Sequence, residues 1–243
     1  MTSKDRILAR IRRATGQPDP QPAHGPGLGP GPGPGPGPDT HPDTHPDVDI
    51  PRDYLRVHGT RTPQERVDLL AAHLTEYRAR VHRTDEDGLR DLLGRLLAGA
   101  GTVQLPPDLG FGLPTEPTLT FVPDRAAQTP RELDRVDAVV TGCALAIAET
   151  GTLVLDGGPD QGRRRITLVP DHHICLVRVP EQVVDSVPQA LPLLDPGRPL
   201  TWISGPSATS DIELDRVEGV HGPRRLDVVL VGARGPVPGP GTQ

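Results

Sequence analysis

Three stretches of the chain combine residue types capable of chemistry with glycines that let a backbone approach a ligand. In Ala146-Ile147-Ala148-Glu149-Thr150-Gly151-Thr152, a carboxylate stands just ahead of the apolar run Leu153-Val154-Leu155. A carboxylate held at a strand edge is a candidate nucleophile or general base. The plainer reading is a turn in which Gly151 supplies an unusual φ and Glu149 accepts backbone N–H bonds. In Ser204-Gly205-Pro206-Ser207-Ala208-Thr209-Ser210-Asp211-Ile212-Glu213, Ser207 stands where a helix N-cap belongs. Free N–H groups at a helix N-terminus bind anions, and Ser207 and Thr209 would add hydroxyl donors beside Gly205 and Asp211. Simple capping of that helix by Ser207 is the alternative. In Glu218-Gly219-Val220-His221-Gly222-Pro223, a histidine with glycines close on both sides, Gly219 and Gly222, lies where a ligand could come close; a histidine locked into a turn is the alternative.

Other stretches carry weaker signals. Arg163-Arg164-Arg165 reads as a solvated loop or as a clamp for a carboxylate or phosphate. His172-His173 could be metal ligands, but adjacent strand residues point to opposite faces and seldom serve one metal. His41 and His45 repeat in a tandem PDTH, and the proline after each forbids the helix that would align them. No metal site is therefore expected.

The elements that must position these residues follow from periodicity. Residues 62–81 read as an amphipathic helix with Val67, Leu70, Leu74 and Tyr77 on one face and Pro63 at its start. Residues 85–101 read as a second, leucine-rich helix stopped by glycines. Strands are expected at 118–122, 138–141, 151–155, 166–169, 174–179, 202–204 and 226–231. Helices are expected at 180–194 and 207–215. Alternating helices and aliphatic strands predict an α/β layered fold with a mostly parallel sheet.

Composition bounds the rest. Gly (28) and Pro (31) make up about a quarter of the 243 residues, and 18 of them fall in residues 17–50. That segment, with its alternating Gly-Pro run at 25–38, is expected to be an extended, disordered linker. It separates a short basic helix within residues 1–16 from a folded domain at 51–232, and a loose tail follows at 233–243. Only five aromatic residues are present, so stacking of nucleobases is not expected. No apolar run is long enough to span a membrane. Ile7, Leu8 and Ile11 are too few for a signal-peptide core. Two cysteines cannot supply the four thiolates of an iron–sulfur cluster, and the expected setting is a reducing cytoplasm. No cofactor fingerprint of the GxGxxG type is present.

Taken in order, the AETGT turn and its strand, LVPDHHICLV, ISGPSATSDIE, and GVHGP before a terminal apolar strand resemble the LUD-domain family, and within it the lactate utilization protein C subfamily. The resemblance covers roughly residues 119–231. It implies a fold like that of the NagB/RpiA/CoA-transferase superfamily. It also implies a part in oxidising L-lactate to pyruvate beside two iron–sulfur partner proteins, which would carry the clusters. Site residues implied on this basis are Glu149 as the catalytic group, with Thr150, Gly151, Gly205, Ser207, Thr209, Asp211, His221 and Gly222 around a small carboxylate or phosphate. Two other classes stay open. One is a stand-alone enzyme of acyl or CoA transfer, or of sugar-phosphate chemistry, using Glu149. The other is a small-molecule sensor.

Overall fold

The computed structural model describes residues 55–210, 216–218 and 222–232. The basic segment, the linker and the tail expected at 1–16, 17–50 and 233–243 lie outside them. The first helix, α1 (Pro63–Glu76), opens on a capping box: Thr62 Oγ1 accepts from the Glu65 N–H while the Glu65 carboxylate accepts from the Thr62 N–H. Its buried face carries Val67, Leu70 and Leu74. The helix ends earlier than its periodicity suggests. Arg78 adopts a left-handed φ of 68°, and the N–H groups of Arg78 and Ala79 donate to Thr75 and Leu74. This closing motif turns the chain into β1 (Arg80–Thr84), a strand that the helical reading absorbed. The next helix, α2 (Glu86–Leu96), is capped by Asp85 and buries Leu89, Leu92 and Leu93.

The remaining elements are β2 (Thr102–Leu105), β3 (Thr120–Pro123), α3 (Pro130–Leu133), β4 (Ala138–Thr141), β5 (Leu145–Ile147), β6 (Thr152–Leu155), β7 (His172–Arg178), β8 (Val183–Val184), α4 (Val187–Ala190), β9 (Thr201–Ile203), β10 (Ala208–Ser210), β11 (Arg216–Glu218) and β12 (Arg225–Val231). Six strands form a wholly parallel sheet in the order β1-β12-β7-β4-β2-β3. Its central strands are continuous apolar runs because both faces are covered. Along β7 and β12, Cys175, Val177, Val228 and Leu230 pack toward α1, while Ile174, Leu176, Val229 and Val231 pack with the leucines of α2.

A second, four-stranded sheet runs β8-β5-β6-β9. Ala146, Ala148, Leu153 and Leu155 from it share the α1 core. Its other face, with Leu145, Ile147 and Val154, buries Ala190 and Leu194. The α/β layered fold with a mostly parallel main sheet is thus present.

Three further expected elements differ. Residues 166–169 are not a strand: Arg164–Thr167 is a 3-10 turn, closed by Thr167 Oγ1 donating to the Arg164 carbonyl at 2.8 Å. Residues 180–194 are not one helix. Their β-branched pair Val183–Val184 extends the second sheet beside β5. Pro188 and Pro192 then restrict helical structure to single turns. The helix expected at 207–215 is replaced at its start by β10, which pairs antiparallel with β11; residues 211–215 lie outside the described set. The Ser207 N–H donates to the Pro223 carbonyl at 2.8 Å, which commits the chain to extended pairing.

Two glycine turns are seated on the end of α1. Gly151 (φ 55°) leaves room for His73: a Cβ there would lie 2.7 Å from the His73 Cβ and 3.0 Å from its carbonyl carbon. Gly205 (φ 90°) is tighter, with a would-be Cβ 2.4 Å from the Tyr77 carbonyl oxygen. Gly205→Ala and Gly151→Ala are each expected to cost about 2–3 kcal/mol of unfolding free energy, from backbone strain plus the clash. Gly99 has a similar φ of 87° with nothing within 4 Å of its Cβ position. Gly99→Ala should therefore cost only the strain, about 1 kcal/mol. Denaturant unfolding checks this; equal losses at all three positions would contradict the packing account.

Candidate functional site

The AETGT stretch is the hairpin between β5 and β6, with Ile147 opposite Thr152. The hairpin is tied to α1 by His73, whose Nδ1–H donates to the Ala148 carbonyl at 2.8 Å. Strand β9 pairs with β6, so the chain leaves the second sheet at Ser204 directly beside the hairpin. The two motifs touch through hydroxyls. Thr150 Oγ1 donates to Thr152 Oγ1 at 2.8 Å, and Thr152 Oγ1 is hydrogen-bonded to Ser204 Oγ at 2.8 Å. The third motif arrives through Gly222, whose would-be Cβ lies 3.4 Å from Ser207 Cβ.

The Ser204–Ser207 turn and Gly222 border a cleft of about 260 Å³. Of the residues marked in the sequence, Gly205, Ser207 and Gly222 line it. Thr150 stands behind it, one hydroxyl removed from Ser204. Glu149 and Gly151 are not among its lining residues. Thr209 lies on β10; Asp211 and His221 lie outside the described residues. The cleft also takes residues that the sequence reading left out of the site. Ser204 sits inside a motif already marked. Arg164 and His173 come from runs whose members could not be ranked by spacing. Trp202, Thr201 and Thr167 carried no signal beyond their place near those runs.

His173 is buried, and its Nε2 is hydrogen-bonded to Thr141 Oγ1 at 2.8 Å. Burial, with the neighbouring His172, pushes its pKa down to about 3, so the ring is neutral at ordinary pH. His172 points the other way, to Asp227, at 2.7 Å. The two histidines serve different partners, as alternation along a strand requires. Asp227, fully buried, also receives His82 at 2.6 Å and Arg225 at 2.7 Å. Burial opposes its charge, but these donors hold its carboxyl well below the usual range. Among the described residues no three His, Cys, Asp or Glu side chains are grouped to hold a metal. Among them no helix is long and apolar enough to cross a membrane.

Glu149 is engaged elsewhere. Its carboxylate meets His58 Nδ1 at 2.7 Å through one oxygen and Arg61 at 3.0 Å through the other. Its N–H donates to the Asp185 carbonyl at 2.9 Å, and Arg61 also reaches Asp185 Oδ1 at 3.3 Å. Partial burial pushes its pKa up, but His58 and Arg61 more than offset this and hold it below the usual glutamate value. The compensation expected of a structural carboxylate is therefore present, supplied by residues ahead of α1 that the sequence reading did not pair with it. No helix begins at Ser207, so the anion-binding geometry that rested on a helix N-terminus is absent.

Residues 112–231 match the LUD domain family. Lactate utilization protein C of Deinococcus radiodurans is 62% identical over 105 residues, which is 42% of this chain and 49% of that protein. That alignment thus spans about half the length of the relative. Proteins of the same name from Bacillus licheniformis and Bacillus subtilis are 30% and 28% identical. These cover 72% and 69% of this chain, and 82% and 79% of those proteins. The crystal structure of a DUF162 family protein from Deinococcus radiodurans superposes with a TM-score of 0.58 at 37% identity, covering 71% of this chain and 100% of that one.

The Glu149–His58 pair has a defined pH window. His58 is shifted up chiefly by its bond to Glu149, so its contribution is complete below the unfolded value of about 6.5 and fades as pH rises through the folded value. The contribution of Glu149, whose folded pKa is lowered, is present above the unfolded value of about 4.3 and fades as pH falls. His58→Gln should therefore lower the melting temperature more at about pH 5.5 than at about pH 8.5. Equal losses at the two pH values would contradict the pairing.

Proposed function

The chain belongs to the LUD-domain family, and from that membership we propose that it is a component of an L-lactate utilization system. In this reading it works with iron–sulfur partner proteins that oxidise L-lactate to pyruvate, a loss of two electrons and two protons from the substrate. The observation that carries the reading is the 30% identity to a lactate utilization protein C across 82% of that protein. The chemistry of the cleft agrees with it. Its described lining offers one cation, several hydroxyls and a neutral histidine, a set suited to holding a small hydroxy acid. Among the described lining residues there is no carboxylate, and His173 is neutral; in this reading the chain binds and orients the substrate while its partners take the electrons. Cys143 and Cys175 are both buried in the α1 core and too few to hold a four-thiolate cluster, which is consistent with a reading in which partner proteins carry the clusters.

The stand-alone acyl- or CoA-transfer reading draws less support, because both Glu149 oxygens are taken by His58 and Arg61 and the group lies outside the cleft lining. Deleting the gene from its native host should abolish growth on L-lactate as sole carbon source. Growth should return with the intact chain, and a tagged copy should co-purify iron–sulfur proteins. Normal growth of the deletion strain on L-lactate would overturn the proposal.

A further inference from the structure

Arg163, Arg164 and Arg165 are consecutive, yet the fold gives them three different fates. Arg163 forms a fork with the Asp124 carboxylate, and its backbone N–H donates there too. Arg165 donates to the carbonyls of Arg125 and Ala126 at 2.7 and 2.9 Å. These two anchors fix the 3-10 turn on the segment after β3. Arg164, between them, is exposed, and its guanidinium has no carboxylate partner among the described residues.

Arg164 lines the 260 Å³ cleft and also an adjoining one of about 200 Å³, which share Arg164, Thr167 and Thr201. In the second cleft Arg163 is neutralised by Asp124, and Arg198 by Asp156 at 2.6 Å. Among the described lining residues of both clefts, Arg164 is thus the only guanidinium without an acidic partner. His173 is neutral, so the described lining of the first cleft carries a formal charge of one positive unit. The hydroxyl-bearing Ser204 and Ser207 line the same cleft.

We propose that Arg164 is the binding residue for the ligand's carboxylate, and that the cleft takes a small 2-hydroxy or 2-oxo monocarboxylate. A planar guanidinium matches a carboxylate in a two-point fork. A single positive charge balances a monoanion and under-compensates a phosphate dianion. The lining hydroxyls offer hydrogen-bond partners for the ligand's C2 oxygen, and the volume suits a ligand of few heavy atoms. This assignment rests on reading the cleft as the substrate site of the proposed lactate role.

Direct binding tests it on the purified full chain, by calorimetry with L-lactate, pyruvate and inorganic phosphate. The intact chain should bind L-lactate or pyruvate at least about tenfold more tightly than phosphate. Arg164→Ala should weaken carboxylate binding at least about tenfold, the scale of a lost charge-assisted pair. Arg164→Lys should recover part of the loss, and Arg131→Ala, on exposed α3, should bind as the intact chain does. Circular dichroism confirms that each variant is folded. Undiminished binding by folded Arg164→Ala, tighter binding of phosphate, or no binding of either carboxylate would overturn the assignment. The outcomes separate it from the wider role. A deletion strain that grows on lactate overturns the lactate reading even where Arg164 binds a carboxylate. Unchanged binding by Arg164→Ala overturns only this assignment where deletion still abolishes growth.

Discussion

The last turn of α1 holds together two loops far apart in sequence, and the geometry of the cleft depends on it. The Gly151 hairpin presses on His73 and Leu74, and the Gly205 turn presses on the Tyr77 carbonyl. Side chains at these glycines would separate the loops from the helix. With the loops seated, β6 and β9 pair and Thr152 meets Ser204, which brings the end of β9 to the hairpin. The helix itself is fixed from both ends, by the Thr62–Glu65 capping box and by the left-handed turn at Arg78. Its apolar face is buried in a core shared with both sheets. The requirement for backbone-close packing thus passes from helix cap to loop to cleft.

Several buried and half-buried carboxylates around this frame are paired with cations, while Arg164 stands at the cleft with no carboxylate partner among the described residues. Glu149 is neutralised by Arg61 and His58, Asp124 by Arg163, Asp156 by Arg198, and the buried Asp227 by two histidines and Arg225. A buried carboxylate without such donors would have to take up a proton at the cost of its charge. Among the described arginines lining the cleft pair Arg164 is the exception, and the proposed ligand supplies its counter-charge.

The sequence carries the strongly periodic parts of this structure in plain sight. Leu70 and Leu74 mark α1, and the aliphatic runs of β4, β7 and β12 announce a sheet covered on both faces. The strand β1 escapes because its residues, Arg80 to Thr84, are mostly polar; only the parallel partner β12 makes them a strand. The segment 180–194 misleads for the opposite reason, since its apolar spacing fits a helix that Val183–Val184 leave for the sheet. In the site, Gly205, Ser207 and Gly222 are recognisable by type, as small residues where backbones meet. Glu149 stands out by type as well, but its partners lie ahead of α1, and sequence distance hides them. Arg164 could not be told from its neighbours by spacing. What separates the three arginines is the location of acceptors on Asp124, Arg125 and Ala126, which is tertiary information.

The central claim is that the ligand sits against Arg164 and the Ser204–Ser207 turn, and that Glu149 serves the fold. A crystal structure of the full chain with L-lactate or pyruvate tests it most directly. A ligand carboxylate is expected within about 3 Å of the Arg164 guanidinium, hydrogen-bonding range, with the His58–Glu149–Arg61 contacts unchanged. Ligand density on the Glu149 carboxylate, with His58 and Arg61 displaced and the cleft empty, would contradict it.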